Sequence, residues 1–208
     1  MKTDLKTALC LLLIYLTTGL SPYAYGQSVS KKILMIGDQL PELTFSDLSD
    51  STVKSISTAN IKNKWMVISF WNSYCMACVT EMPLLDSLQK EMFEQCTFVQ
   101  VGYTGSQYTK RTDNERIRRL YSRTRQNAGI SLITAYDSTT FHYLDIEECP
   151  YILIVDPRGI IKGITYAVTR QQLKDAFAGR FVTFEKAYTR TQRRELNKKL
   201  KKAATKGS

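Results

Sequence analysis

The sequence predicts a three-layer α/β domain in which a central mixed β-sheet is flanked by helices. Apolar runs of strand length, such as 65–70 and 151–155, alternate with segments whose apolar residues have helical spacing. These runs are continuous, which is typical of strands buried on both faces of a sheet. An Asp-Pro-Arg-Gly turn at 156–159 joins the last two strands, so that pair is antiparallel.

Each element has its own local signal along the chain. Short extended segments are expected at 40–45 and 53–56, before the first buried strand at 65–70. From about Cys75 the apolar residues fall at helical spacing, which predicts a helix. The later elements are a strand at 97–103, a helix at 112–126, strands at 130–135, 151–155 and 160–166, and a helix at 169–179.

The composition excludes several classes of protein. The chain has 208 residues, 43% of them hydrophobic and 23% charged, which is ordinary for a globular protein and argues against bulk disorder. The single histidine, His142, excludes a metal site with two His ligands from this chain and disfavours a Ser-His-Asp triad. We predict neither a metal site nor a cofactor.

The first 26 residues have the pattern of a secretory signal peptide. Lys2 and Lys6 give a basic start, an apolar run covers 8–20, and Gly26 ends a small-residue cleavage motif. The run is shorter than the ~20 residues that a spanning helix needs. We therefore predict an exported, periplasmic protein that is cleaved after Gly26. If the segment is not cleaved, it would anchor the protein in the membrane.

The mature chain divides into a polar lead-in at 27–36, one domain at 37–180 and a basic helical tail at 181–208. The tail holds nine Lys and Arg residues and two Glu, so it carries +7 (nine minus two) of the net charge of +10. Two interpretations stay open: a solvated basic face, or a surface for an acidic membrane or an acidic partner. Export argues against nucleic acid as a partner.

Cysteine usage indicates redox chemistry. Cleavage of the signal peptide would leave four cysteines, Cys75, Cys78, Cys96 and Cys149. Four are too few for a disulfide scaffold in a chain of this length. Cys75 is expected at a helix N-terminus, where the helix dipole favours an anion and lowers a thiol pKa. Cys78 follows one turn later. Attack by Cys75 on a substrate disulfide and resolution by Cys78 would complete an exchange.

The segment around these cysteines resembles the active site of thioredoxin-like proteins of the exported TlpA/ResA type, in the redoxin family. The resemblance covers about 37–180 and includes Cys149-Pro150 ahead of a strand. The matching residues are Phe70, Trp71, Tyr74, Cys75, Cys78, Glu81 and Pro83.

The resemblance implies a thioredoxin-like fold and a protein-disulfide oxidoreductase, with reduction the usual direction. Pro150 would follow a cis peptide bond and help to bind the substrate backbone, and Glu81 would handle the protons of the two thiols. Trp71 and Tyr74 would shield the cysteine pair. The implied partners are disulfide-containing protein substrates and a membrane electron donor that reduces the enzyme again.

Two positions depart from the family pattern. Met76-Ala77 between the cysteines does not indicate a redox potential. Cys149 occupies a position where the family usually has a small or β-branched residue. It is open to three interpretations: a small buried hydrophobe, a second redox thiol, or a soft-metal ligand together with the other two sulfurs.

The sequence leaves two alternative functions open. A peroxiredoxin-like peroxide reductase would have Thr and Pro at the positions of Asn72 and Ile68, so the sequence disfavours it. A thiol-based metal-binding or partner-docking protein would hold metal at Cys75, Cys78 and Cys149.

Overall fold

A computed structural model of the chain describes residues 31–61, 63–105 and 112–206. The predicted signal peptide, residues 1–26, lies outside the described residues. None of the helices in these ranges is both long enough and apolar enough to cross a membrane.

The described strands form two sheets. Strands β1 (Thr44–Phe45) and β2 (Ile56–Ser57) pair antiparallel in the small one. The main sheet has five strands in the order β5-β4-β3-β6-β7, with β3, β4 and β5 parallel and with β6 and β7 antiparallel to their neighbours. Its members are β3 (Trp65–Trp71), β4 (Cys96–Tyr103), β5 (Thr134–Asp137), β6 (Tyr151–Val155) and β7 (Ile161–Thr165).

Helices cover both faces of this sheet. They are α1 (Met76–Met92), α2 (Asn114–Ala128), α3 (Thr139–Tyr143) and α4 (Arg170–Phe177), whereas a further helix, α5 (Arg190–Lys206), is largely exposed. Successive residues of β3 face opposite sides, as the pleat requires. Val67 packs with Leu88 of α1, whereas Phe70 contacts Phe141 of α3 with ring centroids 5.2 Å apart. The predicted three-layer α/β class with a mixed sheet is confirmed.

The strand predicted at 130–135 was wrong in its first four residues, because β5 begins only at Thr134. The backbone N–H groups of Ser131 and Leu132 donate to the Asp86 carboxylate, at 2.7 and 2.8 Å. These donors are therefore used by a side chain of α1 instead of a neighbouring strand. The buried Leu132 explains why the segment has the hydropathy of a strand.

The residues on either side of the predicted 37–180 domain also pack against it. Leu34, in the predicted polar lead-in, is only 1% exposed. The segment 181–189, predicted as part of a helical tail, lies beside β7 instead, and the N–H of Ala187 donates to the carbonyl of Ile164 at 3.2 Å. The helix of the tail begins at Arg190.

Candidate active site

The Cys75–Cys78 disulfide lies where β3 ends and α1 begins. Cys75 is the N-cap of α1, and its Sγ accepts a hydrogen bond from the Cys78 N–H at 3.1 Å. This donor and the helix dipole would stabilise a thiolate at Cys75 once the disulfide is reduced. Cys75 is 9% exposed and Cys78 is 4% exposed, so Cys75 is the more accessible residue of the pair.

The loop at Cys149-Pro150 faces this pair because of the register of β6 on β3. Phe70 pairs with Tyr151, so the residues just before β6 lie opposite the residues just after β3. The peptide bond between Cys149 and Pro150 is cis. Cys149 packs against the apolar cluster that contains both sulfurs of the disulfide.

Cys149 and Cys96 are free thiols with little tendency to ionise. Burial raises the pKa of Cys149 to about 12, and a hydrogen bond from Asn72 opposes that rise only in part. Burial also raises the pKa of Cys96 to about 12. At pH 8 only about one such thiol in ten thousand is a thiolate, the form that reacts. These surroundings favour a packing role for Cys149 over a redox role.

We therefore expect Cys149 and Cys96 to resist brief alkylation by iodoacetamide at pH 8 in the native, reduced protein, while Cys75 reacts. Mass spectrometry of peptides after a short pulse measures this difference. A sample unfolded in urea is the control, because all of these thiols should then react. Fast labelling of Cys149, or a native Cys75–Cys149 disulfide, would contradict the packing role.

Glu81 lies on α1 three residues after Cys78, so both side chains belong to the same face of the helix. Its carboxylate is half-buried and accepts a hydrogen bond from the Val168 N–H at 3.5 Å. Burial raises the pKa of Glu81 above its ordinary value of 4.5, and the Val168 hydrogen bond opposes this rise. A carboxyl group with a raised pKa is suited to exchange protons with a thiol.

Trp71 is fully buried in the cluster that holds the disulfide. Its indole Nε1–H donates to Thr134 Oγ1 at 3.0 Å. Gly102 of β4 makes room for the ring, because a Cβ at that position would lie 3.1 Å from the indole and 2.8 Å from Ile117 Cδ1. The indole thus packs in the same cluster as both cysteines, and its role as a shield stays a prediction.

Tyr74, the other predicted shielding residue, is on the outer side of the pair and is 39% exposed. The guanidinium of Arg116, from the first turn of α2, lies 4.1 Å from the centroid of its ring. This contact is a cation–π interaction, which restrains an exposed aromatic ring next to Cys75.

A comparison with protein families matches residues 36–164 to the AhpC/TSA family. The chain belongs to this family. Curated relatives include a thioredoxin-like protein, YneN, from Bacillus subtilis, which is 29% identical over 109 residues, 51% of this chain and 62% of that protein. The thiol-disulfide oxidoreductase ResA of Bacillus anthracis is 29% identical over 70 residues, 34% of this chain and 39% of ResA. The chain therefore spans less than two thirds of the length of these relatives.

Solved structures with the same fold extend the comparison to proteins of low sequence identity. The thioredoxin domain of a thiol-disulfide oxidoreductase from Bacteroides vulgatus has a TM-score of 0.53 at 18% identity, over 70% of this chain and 97% of that chain. An exposed lipoprotein thioredoxin from Streptococcus pneumoniae has a TM-score of 0.54 at 15% identity, over 67% and 99%. These likenesses show the fold, and the predicted thioredoxin-like class is confirmed.

Three polar residues at the candidate active site were not predicted from the sequence to belong to it. Asn72 Oδ1 accepts the Tyr74 N–H at 3.0 Å and so forms the turn that leads into Cys75. The buried Ser73 hydroxyl donates to the carboxylate of Asp113. Asp113 is the N-cap residue of α2, but its carboxylate makes no cap hydrogen bond and instead ties α2 to the turn through Ser73. Only the Asn had a local signal, its preference for turns.

The geometry of the described residues does not support metal binding by this chain. Within the ranges that the structure describes, no three His, Cys, Asp or Glu side chains are grouped so that they could hold a metal ion. Cys75 and Cys78 are bonded to each other, and the thiol pKa of Cys149 is raised rather than lowered. A thiolate is the form of Cys that ligates a metal.

Proposed function

We propose that this AhpC/TSA member is an exported thiol–disulfide oxidoreductase that reduces disulfides in protein substrates. The observation that carries the proposal is the Cys75–Cys78 disulfide at the start of α1, with the cis-Pro150 loop opposite it. The signal-peptide pattern at 1–26 supports export. The ResA relatives are named thiol-disulfide oxidoreductases, which supports the reaction class.

The reaction starts from the reduced pair. The Cys75 thiolate attacks one sulfur of the substrate disulfide, forms a mixed disulfide and releases the other substrate sulfur as a thiolate, which takes up a proton. Cys78 then loses its proton to Glu81 and attacks Cys75 Sγ. This step re-forms the Cys75–Cys78 disulfide and releases the second substrate sulfur. This second sulfur leaves as a thiolate and takes the proton from Glu81, whereas the first took its proton from solvent, because Cys75 reacts without one. Two electrons have then passed from the cysteine pair to the substrate.

We favour reduction as the direction because the TlpA/ResA resemblance implies it. Each turnover consumes two electrons, so an exported reductase needs a donor, for which we propose a membrane protein.

Replacing Glu81 with Gln is expected to slow turnover by about 10²-fold, because a positioned proton acceptor contributes roughly that much or more. The carboxylate form is the base. The wild-type rate should therefore rise as pH increases through the raised pKa of Glu81, above 4.5. The Gln variant should lack this rise. A pH–rate profile of both proteins measures the effect, and an unchanged profile would remove Glu81 from the proposed mechanism.

Turnover of two substrates tests the function. With dithiothreitol as electron donor, the complete chain should accelerate reduction of the insulin interchain disulfides and leave the consumption of hydrogen peroxide at the uncatalysed rate. A Cys75→Ser variant serves as the background for both reactions. Peroxide turnover without insulin reduction would overturn the proposal and support a peroxide reductase.

A further inference from the structure

An apolar groove of about 870 Å³ opens at the end of the sheet remote from the disulfide. Trp65, which begins β3, lines it, and so does Pro157, just after β6 ends. The cysteine pair follows the other end of β3. Because a strand rises about 3.3 Å per residue, the groove and the pair are separated by roughly 20 Å.

Three large apolar side chains at this groove are mostly exposed. Phe181 is 94% exposed, Ile36 is 66% exposed and Met35 is 53% exposed. Single exposed apolar residues are common on proteins, but a group of them beside an apolar groove marks an interaction site.

Basic residues surround these apolar side chains. The groove is lined by Arg158, Lys162, Arg180 and Lys186, against one acidic residue, Asp156. Asp156 already pairs with Arg158 at 3.1 Å and with Lys162 at 3.4 Å. Arg180 in turn pairs with Asp175, which lies outside the lining. When both acids are counted, the basic residues of the lining keep an excess of two positive charges (four minus two).

Helix α5 adds further positive charge next to the groove. Gln192, in its first turn, is part of the lining. The helix holds eight Lys and Arg residues but only one acid, Glu195. Leu196 and Leu200 are four residues apart and so share one face, and Leu200 is 59% exposed. Basic and apolar residues on one helix are typical of segments that lie on a membrane surface.

We propose that this groove face, formed by Met35, Ile36 and Phe181 with their basic neighbours Arg158, Lys162, Arg180 and Lys186, docks on an anionic phospholipid bilayer. The apolar side chains enter the headgroup region, and the basic side chains contact lipid phosphates. A second copy of the chain fits less well, because two such faces would bring like charges together. Docking would hold the Cys75–Cys78 pair on the side turned away from the membrane.

Vesicle binding tests the proposal without reference to the redox reaction. The complete chain should sediment with vesicles that contain phosphatidylglycerol and more weakly with phosphatidylcholine vesicles. Lys162→Glu with Arg180→Glu should lower the partition coefficient for the anionic vesicles by at least about tenfold, as reversal of two contacting charges implies. Phe181→Ser with Ile36→Ser should also lower it.

A matched control makes the same change of charge elsewhere. Arg119→Glu with Arg123→Glu reverses the charge of two exposed residues of α2. Neither residue lines the groove, so this variant should bind anionic vesicles nearly as well as the wild type. All variants carry the same N-terminal segment, so differences between them report on the groove face. Insulin turnover in solution should be equal in all of them, which separates this proposal from the proposed function.

Three outcomes would overturn the proposal. The first is equal binding to neutral and anionic vesicles. The second is an equal loss of binding in the groove and control variants. The third is a change of oligomeric state in Phe181→Ser with Ile36→Ser, measured by light scattering, with vesicle binding intact. That result would make the face an interface between copies of the chain.

Discussion

Replacing Cys78 with Ser is expected to stop the reaction after its first step and leave the substrate attached to Cys75. Cys75 is the N-cap of α1 and the more exposed residue of the pair, which supports our proposal that it makes the first attack. Without Cys78 nothing resolves the mixed disulfide from within the protein. Non-reducing mass spectrometry after incubation with a disulfide substrate should detect one adduct per chain, located on Cys75.

Replacing Cys75 with Ser should abolish insulin reduction and form no such adduct. The loss should reach at least about three orders of magnitude, since removal of a nucleophile from other enzymes costs that much or more. Cys96→Ser is the matched control, because Cys96 is buried in a different cluster and its pKa is raised to about 12. Adducts on Cys149, or turnover by Cys75→Ser, would contradict the assigned roles.

Replacing Asp86 with Ala is expected to lower the free energy of unfolding by about 3 kcal/mol, because buried donors would lose their partner. The carboxylate of Asp86 accepts from the Ser131 N–H, the Ser131 hydroxyl at 3.0 Å and the Leu132 N–H, and it pairs with Lys90 at 2.6 Å. These bonds fasten α1, and with it the cysteine pair, to the chain that leads into β5. Urea unfolding measures the loss.

The pH dependence of unfolding gives this prediction a second readout. Burial alone would raise the pKa of Asp86, but the hydrogen bonds from Lys90, Ser131 and Leu132 outweigh burial and hold it below its ordinary 3.8. A lowered pKa means that the carboxylate stabilises the fold above about pH 4 and that this contribution is lost as pH falls through the lowered value. Asp86→Ala should therefore lose less stability on acidification than the wild type.

Asp175→Ala is the matched control for both measurements. Asp175 is another helical carboxylate with a lowered pKa, held by Arg180, but it is at the surface. Exposed ion pairs contribute little to stability, so this variant should unfold near the wild-type urea concentration. Equal behaviour of the two variants would show that the Asp86 contacts do not anchor α1.

Local patterns in the sequence were sufficient to predict the centre of the fold and the position of the cysteine pair. A continuous apolar run followed by Cys75 and helical spacing is a short-range signal, and β3 and α1 have those positions in the structure. The turn at 156–159 likewise predicted the antiparallel pairing of β6 and β7.

Contacts between residues far apart in the chain were not predictable in the same way. The strand prediction at 130–135 failed because Asp86, more than 40 residues earlier, accepts hydrogen bonds from Ser131 and Leu132. The contact of Arg116 with Tyr74 depends on how α2 packs beside the turn before α1. A hydropathy pattern carries no information about which side chain satisfies a backbone donor.

The boundaries at both ends of the domain were also not predictable from local sequence patterns. Leu34 lies in a segment that is polar on average, yet it is buried in the core. Residues 181–189 were predicted as the start of the basic helical tail, although they hold only one Lys and one Glu. They pair with β7 at the edge of the sheet instead, including a bridge between Thr165 and Lys186. Covering an open sheet edge is a tertiary requirement that composition does not express.

A redox titration of the complete chain tests the central claim most directly. The protein is equilibrated in dithiothreitol or glutathione buffers, quenched with an alkylating agent and unfolded, and the free thiols are then located by mass spectrometry. We expect one two-electron transition, near about −250 mV or below, in which only Cys75 and Cys78 change. Cys96 and Cys149 should stay reduced throughout. A potential near about −120 mV would instead indicate an oxidant, and the absence of any Cys75–Cys78 transition would contradict the account.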